Sequence, residues 1–178
     1  MTTLTRADWE QRAQQLKIEG RAFINGEYTA AVSNETFECL SPVDGRLLGK
    51  VASCDSADAQ RAVEVARKTF ESGVWSRLAP AKRKAAMIRF AGLLKQNAEE
   101  LALLETLDMG KPISDSLHID VPGAAGALSW SGEAIDKIYD QVAPVEESAL
   151  ALVTREALGV VAAIVTWNFP LMMACWKL

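Results

Sequence analysis

The sequence predicts an α/β fold. A small antiparallel β layer comes first, a series of helices follows, and the chain closes on the first strand and first helix of a doubly wound, nucleotide-binding sheet. Three observations carry this. Asn25-Gly26 lies between apolar residues in FINGEY, residues 23–28, the strongest short-range signal of a hairpin. Residues 55–139 place apolar side chains at helical spacing, with glycine and proline as punctuation. Residues 157–176, ALGVVAAIVTWNFPLMMACW, contain no charged side chain and are bracketed by Glu156 and Lys177.

That last run fits two architectures. Its length matches a single membrane-spanning helix of about 20 apolar residues. Asn168 and Pro170 argue against this, because an interior proline removes a helix hydrogen bond and clashes with the preceding turn. Division into two elements suits the residues better. Residues 160–165 are a short run, rich in β-branched residues and apolar on both faces, as in a buried parallel strand. Residues 166–169 form a turn, and Pro170 opens a helix at the position where its missing N–H costs nothing. A strand entering a helix through a tight turn begins a doubly wound sheet. A second parallel strand needs a crossover of a dozen or more residues, so the chain is expected to be the front part of a larger protein.

Taken in order, residues 6–16 read as a short surface helix. The hairpin at 23–28 follows. Thr36–Leu40 and Leu47–Ala52 read as strands, separated by Ser41-Pro42 and Asp44-Gly45. Asp55 or Ser56 caps a helix to about residue 72, with Ala59, Ala62, Val63, Ala66 and Phe70 on one face. Pro80 starts the next helix. Ala98–Met109 is a third, ended by Gly110 in a left-handed position with Pro112 beyond. A longer helix over roughly 114–139 bends near Pro122-Gly123. Residues 142–149 are turn-rich, and 150–155 alternate like an edge strand.

Composition narrows the function classes. With 178 residues the chain can bury a core, and 49% apolar with 24% charged residues is ordinary for a soluble domain. A net charge of −4 argues against nucleic acid or an anionic membrane as partner. The opening MTTLTRADWEQRAQQ has no apolar core of a signal peptide. Cys39, Cys54 and Cys175 lack CxxC spacing and suit free thiols in a reducing compartment, hence a cytoplasmic location. No GxGxxG, P-loop or HExxH motif is present. His118 has no triad partners and reads as a solvated helix residue. Cys175, among Met172, Met173, Ala174 and Trp176, reads as a buried inert thiol. Asn168 has two readings of equal weight. It is a helix cap, or, if Phe169 holds the cap position, a free amide donor at the carboxyl end of a strand, where α/β sheets place ligands and where an oxyanion is stabilised.

These residues resemble a known family. Trp167-Asn168-Phe169-Pro170 after an apolar strand, Arg155-Glu156-x-x-Gly159-Val160 before it, Glu105-Thr-Leu-Asp108-x-Gly110-Lys111-Pro112, and Phe23-Ile24-Asn25-Gly26-Glu27 together resemble the NAD(P)-dependent aldehyde dehydrogenases. Within the superfamily the resemblance points to the γ-glutamyl-γ-aminobutyraldehyde dehydrogenases of putrescine breakdown. It implies an enzyme that oxidises an aldehyde, here an aminoaldehyde, to a carboxylic acid with NAD or NADP. It divides the chain into 1–141, the N-terminal part of a coenzyme-binding domain; 142–158, an oligomerisation arm that implies a homo-oligomer; and 159–178, the start of a truncated NAD-binding sheet. It implies Asn168 as side-chain oxyanion donor and Lys177 as a charge-relay residue, alternatively a solvated or snorkelling side chain. It implies that Val165, Thr166 and Trp167 line the NAD cleft. It matches Asp108 and the carbonyls of Cys39 and Leu40 to a K+ or Na+ site, alternatively leaving Asp108 a helix-end residue. The chain departs from the family at Ala157 and Thr166, where relatives carry proline, and at Met109, where threonine is common. The family's nucleophilic cysteine, catalytic glutamate, adenosine-ribose lysine and phosphate-contacting glycines have no counterpart in these residues, so the chain alone is expected to be inactive. A subunit-pairing module and a membrane-anchored β/α protein are the other classes.

Overall fold

A computed structural model describes residues 4–178; residues 1–3 of the expected 1–141 segment lie outside the described residues. Helix α1, Arg6–Gln15, opens on a reciprocal capping box between Thr5 and Asp8. Strands β1, Ala22–Ile24, and β2, Glu27–Thr29, form the expected hairpin. Asn25 and Gly26 both take positive φ, 58° and 80°, as a type I′ turn requires. Strands β3, Thr36–Leu40, and β4, Leu47–Ala52, pair antiparallel with a register shift between Cys39 and Leu40. The expected β layer is thus two separate hairpins. A backbone bond from Ala52 N–H to the Gly20 carbonyl (2.8 Å) ties the second hairpin to the segment before β1, and one from Ser53 N–H to the Glu35 carbonyl (2.9 Å) extends the second hairpin itself.

Helix α2, Ser56–Ser72, starts on Asp55 and stops at left-handed Gly73. Its second carboxylate, Asp58, is buried and accepts from Val32 N–H (3.0 Å) and Asp55 N–H (3.1 Å), so it ties the helix to the segment after β2. Helix α3, Pro80–Gln96, has Pro80 in its first turn, and α4, Ala98–Met109, ends at Gly110 with φ 83°. The long helix expected over 114–139 is composite and shorter. Helix α5, Ile113–Asp115, passes into a π turn, Ser116–Asp120, and then into α6, Val121–Ala134. Val121 N–H bonds the Ser116 carbonyl, five residues back. Pro122 has no N–H to serve the carbonyl four residues earlier, so the widened turn absorbs the proline without breaking the helix.

The core lies where α3, α6 and a final helix, α7, Pro170–Lys177, pack together. Met87, Ala91 and Leu94 meet Ala124, Ala125, Leu128 and Cys175 there. Full burial of a side chain such as Leu128 contributes about 1.5–3 kcal/mol. Small residues set the approach. A Cβ on Gly132 would stand 2.9 Å from Met87 Cβ, and one on Gly123 would stand 2.8 Å from Met172 Cε. On the outer side Gly123, Gly126, Ala127, Trp130, Ser131 and Trp176 line a groove of about 410 Å³.

Two sequence expectations need correction. Residues 142–149 are not all turn: β5, Gln141–Ala143, pairs antiparallel with β6, Ala151–Val153, the core of the expected edge strand. Residues 160–165 form no strand, because no parallel neighbour is present to share its hydrogen bonds and a strand exists only by pairing. Val161 and Ile164 stand 72% and 89% exposed in consequence. No helix among the described residues is long and apolar enough to cross a membrane.

Candidate functional site

The N-terminus of α7 is the site's scaffold. Pro170 fixes the first helical φ, and the Phe169 carbonyl accepts Met173 N–H at 2.9 Å. Phe169 therefore holds the cap position, and no side chain caps the helix. Of the two readings of Asn168, the cap is not realised. Its side chain is exposed, lies outside the helix, and makes no hydrogen bond among the described residues. Its amide NH₂ is available to an external acceptor.

Val165, Thr166 and Trp167 lead into this turn as one exposed strip, with Trp167 78% exposed. They can line one wall of a cleft. Among them there is neither a basic side chain nor a glycine, so they supply no phosphate-binding group of their own. Lys177 closes α7 seven residues after Pro170, about 10 Å further along the axis. It is exposed, forms no ion pair among the described residues, and does not share a point in space with Asn168.

Beneath the turn lies a charged cluster of which the sequence reading quoted Glu105 and Lys111 in a motif without joining them to Asp120. Lys111 Nζ bonds Glu105 Oε1 at 3.2 Å and also Asp120 Oδ2, with both carboxylates buried. The same ammonium stands 4.1 Å from the centroid of the Phe169 ring. Ser116 and Thr106 share a hydroxyl hydrogen bond of 3.0 Å beside it. Burial pushes the Glu105 carboxyl above its ordinary range, and Lys111 only partly offsets this. Burial also works to lower the Lys111 ammonium, but the two carboxylates overcome it and hold the lysine above its usual value. Glu105 Oε2 has no hydrogen-bond partner. The signal was available: a glutamate at a buried position of the apolar helix α4, with a lysine and an aspartate shortly after it.

The residues matched to a monovalent cation are brought together in part. Cys39 Sγ–H donates to Asp108 Oδ1 at 3.2 Å, and Leu40 follows at the strand irregularity, half-exposed. Burial, then Asp108, pushes the Cys39 thiol up. One carboxylate is the sole charged donor of the set, which suits a weakly held hard cation rather than a divalent one. No cluster of three His, Cys, Asp or Glu side chains with metal-binding spacing occurs among the described residues. A cavity of about 390 Å³, lined among others by Ile18, Cys39, Glu105, Asp108 and Pro170, links this point to the start of α7.

Cys175 and His118 behave as expected from the sequence. Cys175 is buried in the core with its thiol pushed up by burial, and His118 is an exposed residue of the π turn.

A family model, Aldehyde dehydrogenase family, matches residues 28–178. The NADP/NAD-dependent aldehyde dehydrogenase PuuC of Escherichia coli K12 is 56% identical over 172 residues, covering 97% of this chain and 35% of that protein. The solved structure of the P. syringae indole-3-acetaldehyde dehydrogenase AldA with NAD+ superposes with a TM-score of 0.97 at 82% identity, covering 98% of this chain and 35% of that one. The γ-glutamyl-γ-aminobutyraldehyde dehydrogenase of Burkholderia cenocepacia superposes with a TM-score of 0.96 at 54% identity, with the same coverage of 98% and 35%. The chain therefore spans about a third of the length of these relatives and corresponds to their N-terminal part.

Proposed function

Because the chain belongs to the aldehyde dehydrogenase family, we propose that it forms the front wall of an active site that oxidises an aldehyde to a carboxylic acid with a nicotinamide cofactor. The observation that carries this is the turn before α7, where the Asn168 amide is left without an internal partner. In this reading Asn168 donates to the aldehyde oxygen as a nucleophile adds to the carbonyl carbon and the oxygen becomes an anion. Removing one such donor costs about 10²–10³ in kcat, or roughly 2.7–4 kcal/mol, when the donor is preorganised. Val165, Thr166 and Trp167 line the NAD cleft beside the turn, and the bound cofactor would supply the hydride acceptor. Lys177, at the far end of α7, serves as a charge partner to groups outside these residues. Cys39, Leu40 and Asp108 hold a K+ or Na+ ion that tightens the join between the β hairpins and α4. Residues 142–158, built as the β5–β6 hairpin, act as the arm that pairs subunits into a homo-oligomer. Three free thiols suit the reducing cytoplasm.

An aminoaldehyde is the proposed substrate, supported by the γ-glutamyl-γ-aminobutyraldehyde relative. An indole aldehyde is a second reading, supported by the higher identity to the indole-3-acetaldehyde enzyme. The nucleophilic thiol and the general base are assigned to groups outside these 178 residues, since Cys175 is buried in the core.

The test is NADH formation by the protein made from the complete gene that encodes these residues, with each aldehyde in turn. Asn168→Ala is expected to lower kcat about 10²–10³-fold with KM little changed, because the lost interaction belongs to the transition state. Unchanged kcat removes the oxyanion assignment. The 178 residues alone are expected to form no NADH above a heat-killed control.

A further inference from the structure

Lys111 gathers partners from three separate elements. Glu105 comes from α4, Asp120 from the π turn, and Phe169 from the cap of α7. Two buried carboxylates fix the ammonium from one side, and the Phe169 ring meets it from another at 4.1 Å. Breaking a buried ion pair leaves an uncompensated charge, so the lysine has little freedom to leave this position. A cation held over an aromatic face is attracted by the ring's quadrupole, more strongly when water is excluded. No other hydrogen bond or cap ties residues 166–169 to another element among the described residues; the Phe169 carbonyl serves only its own helix.

We infer that Lys111 is a positioning residue: Glu105 and Asp120 aim its ammonium at the Phe169 ring, and that contact fixes the turn carrying Asn168. Its use in catalysis rests on the oxyanion reading of Asn168, whereas its existence rests on the geometry alone. The charged cluster contributes by orientation.

The test is NMR of the chain, with Phe169→Leu, Phe169→Trp and Lys111→Met. In the parent the ε-methylene protons of Lys111 carry an upfield ring-current shift, which reports the ring against the ammonium, while the exchange rates report whether that contact fixes the turn. Phe169→Leu removes that shift and accelerates backbone hydrogen exchange at Met173, whose N–H bonds the Phe169 carbonyl, by roughly 2- to 30-fold, the range a cation–π contact spans from exposed to desolvated positions. Phe169→Trp retains both the shift and the slow exchange. Lys111→Met accelerates exchange with the ring still present. If Lys111→Met fails to fold, the two Phe169 variants decide alone. Absence of the shift in the parent, or unchanged exchange in Phe169→Leu, overturns the inference. An ordered turn combined with a dispensable Asn168 in the NADH assay would sink the oxyanion reading and leave this one standing.

Discussion

Replacing Asp58 by alanine should be among the most damaging single changes that leave the main hydrophobic core untouched. The carboxylate is 2% exposed and accepts two backbone N–H groups, from Val32 at 3.0 Å and from Asp55 at 3.1 Å. Hydrogen bonds to a charged group are worth about 1.5–3 kcal/mol each. Two of them give an upper figure of about 6 kcal/mol, but Val32 is half-exposed and its N–H can be rehydrated. The expected loss is therefore about 2–4 kcal/mol, a large share of the 5–15 kcal/mol typical of a domain. In a chain of this size it corresponds to a melting temperature lower by roughly 4–16 °C. Asp58→Asn keeps one acceptor and turns an NH₂ toward the other donor, so it should fall between wild type and alanine. Asp55→Ala, which loses the N-cap bonds to Ala57 and Asp58 at the exposed helix start, should cost about 1 kcal/mol. Urea unfolding followed by circular dichroism measures all three, and hydrogen exchange at Val32 reports the local bond. A loss below about 1 kcal/mol for Asp58→Ala, or a larger loss for Asp55→Ala, would refute the reasoning.

Other perturbations separate backbone, charge and surface effects. Gly20→Ala would place a Cβ 2.0 Å from the Lys50 carbonyl oxygen, which only a backbone shift relieves, and should cost about 1–3 kcal/mol or more in urea unfolding. Gly92→Ala in α3 meets nothing within 4 Å and should instead stabilise by up to about 1 kcal/mol. The Glu19 carboxylate, hydrogen-bonded by the Arg21 side chain and backbone, is held down to about 2. Its folded value lies below its unfolded one, so its contribution is present above the ordinary glutamate range and fades as pH falls toward 2. An NMR titration checks this, with Arg21→Met expected to return Glu19 toward the ordinary value. The uncovered apolar stretch at 158–167 should drive association, and Ile164→Lys, at a site 89% exposed, should raise the monomer fraction in light scattering. No gain in monomer would place the sticky surface elsewhere.

Local chemistry made much of this fold legible. Asn25-Gly26, Asp55, Pro80 and Gly110 each demand one backbone conformation or one hydrogen bond, and each sits where the sequence placed it. That Pro122 would disturb the helix was legible, but the π turn was not, since a missing N–H can be absorbed by a kink, a break or a widened turn. The strand expected over 160–165 failed for another reason. Apolar β-branched composition shows that residues favour a sheet and says nothing of whether neighbours are present. At the site, Asn168 was legible as a residue and undecided as a role until the cap geometry removed one reading. In the Lys111 cluster the buried glutamate was a legible signal, but its partners were not, because they come from separate elements and pairing across a fold leaves no period in the sequence.

The groove between Trp130 and Trp176 has a practical consequence. These indoles are 75% and 63% exposed and face the same opening. Water around an excited indole relaxes and draws its emission to long wavelength, and a covering surface of protein reverses that shift. The chain thus carries an optical gauge at the boundary of its own core. With Trp9, Trp75 and Trp167 replaced by phenylalanine, any surface that covers this groove should move the emission to the blue, and the midpoint of that movement would give the affinity without a label.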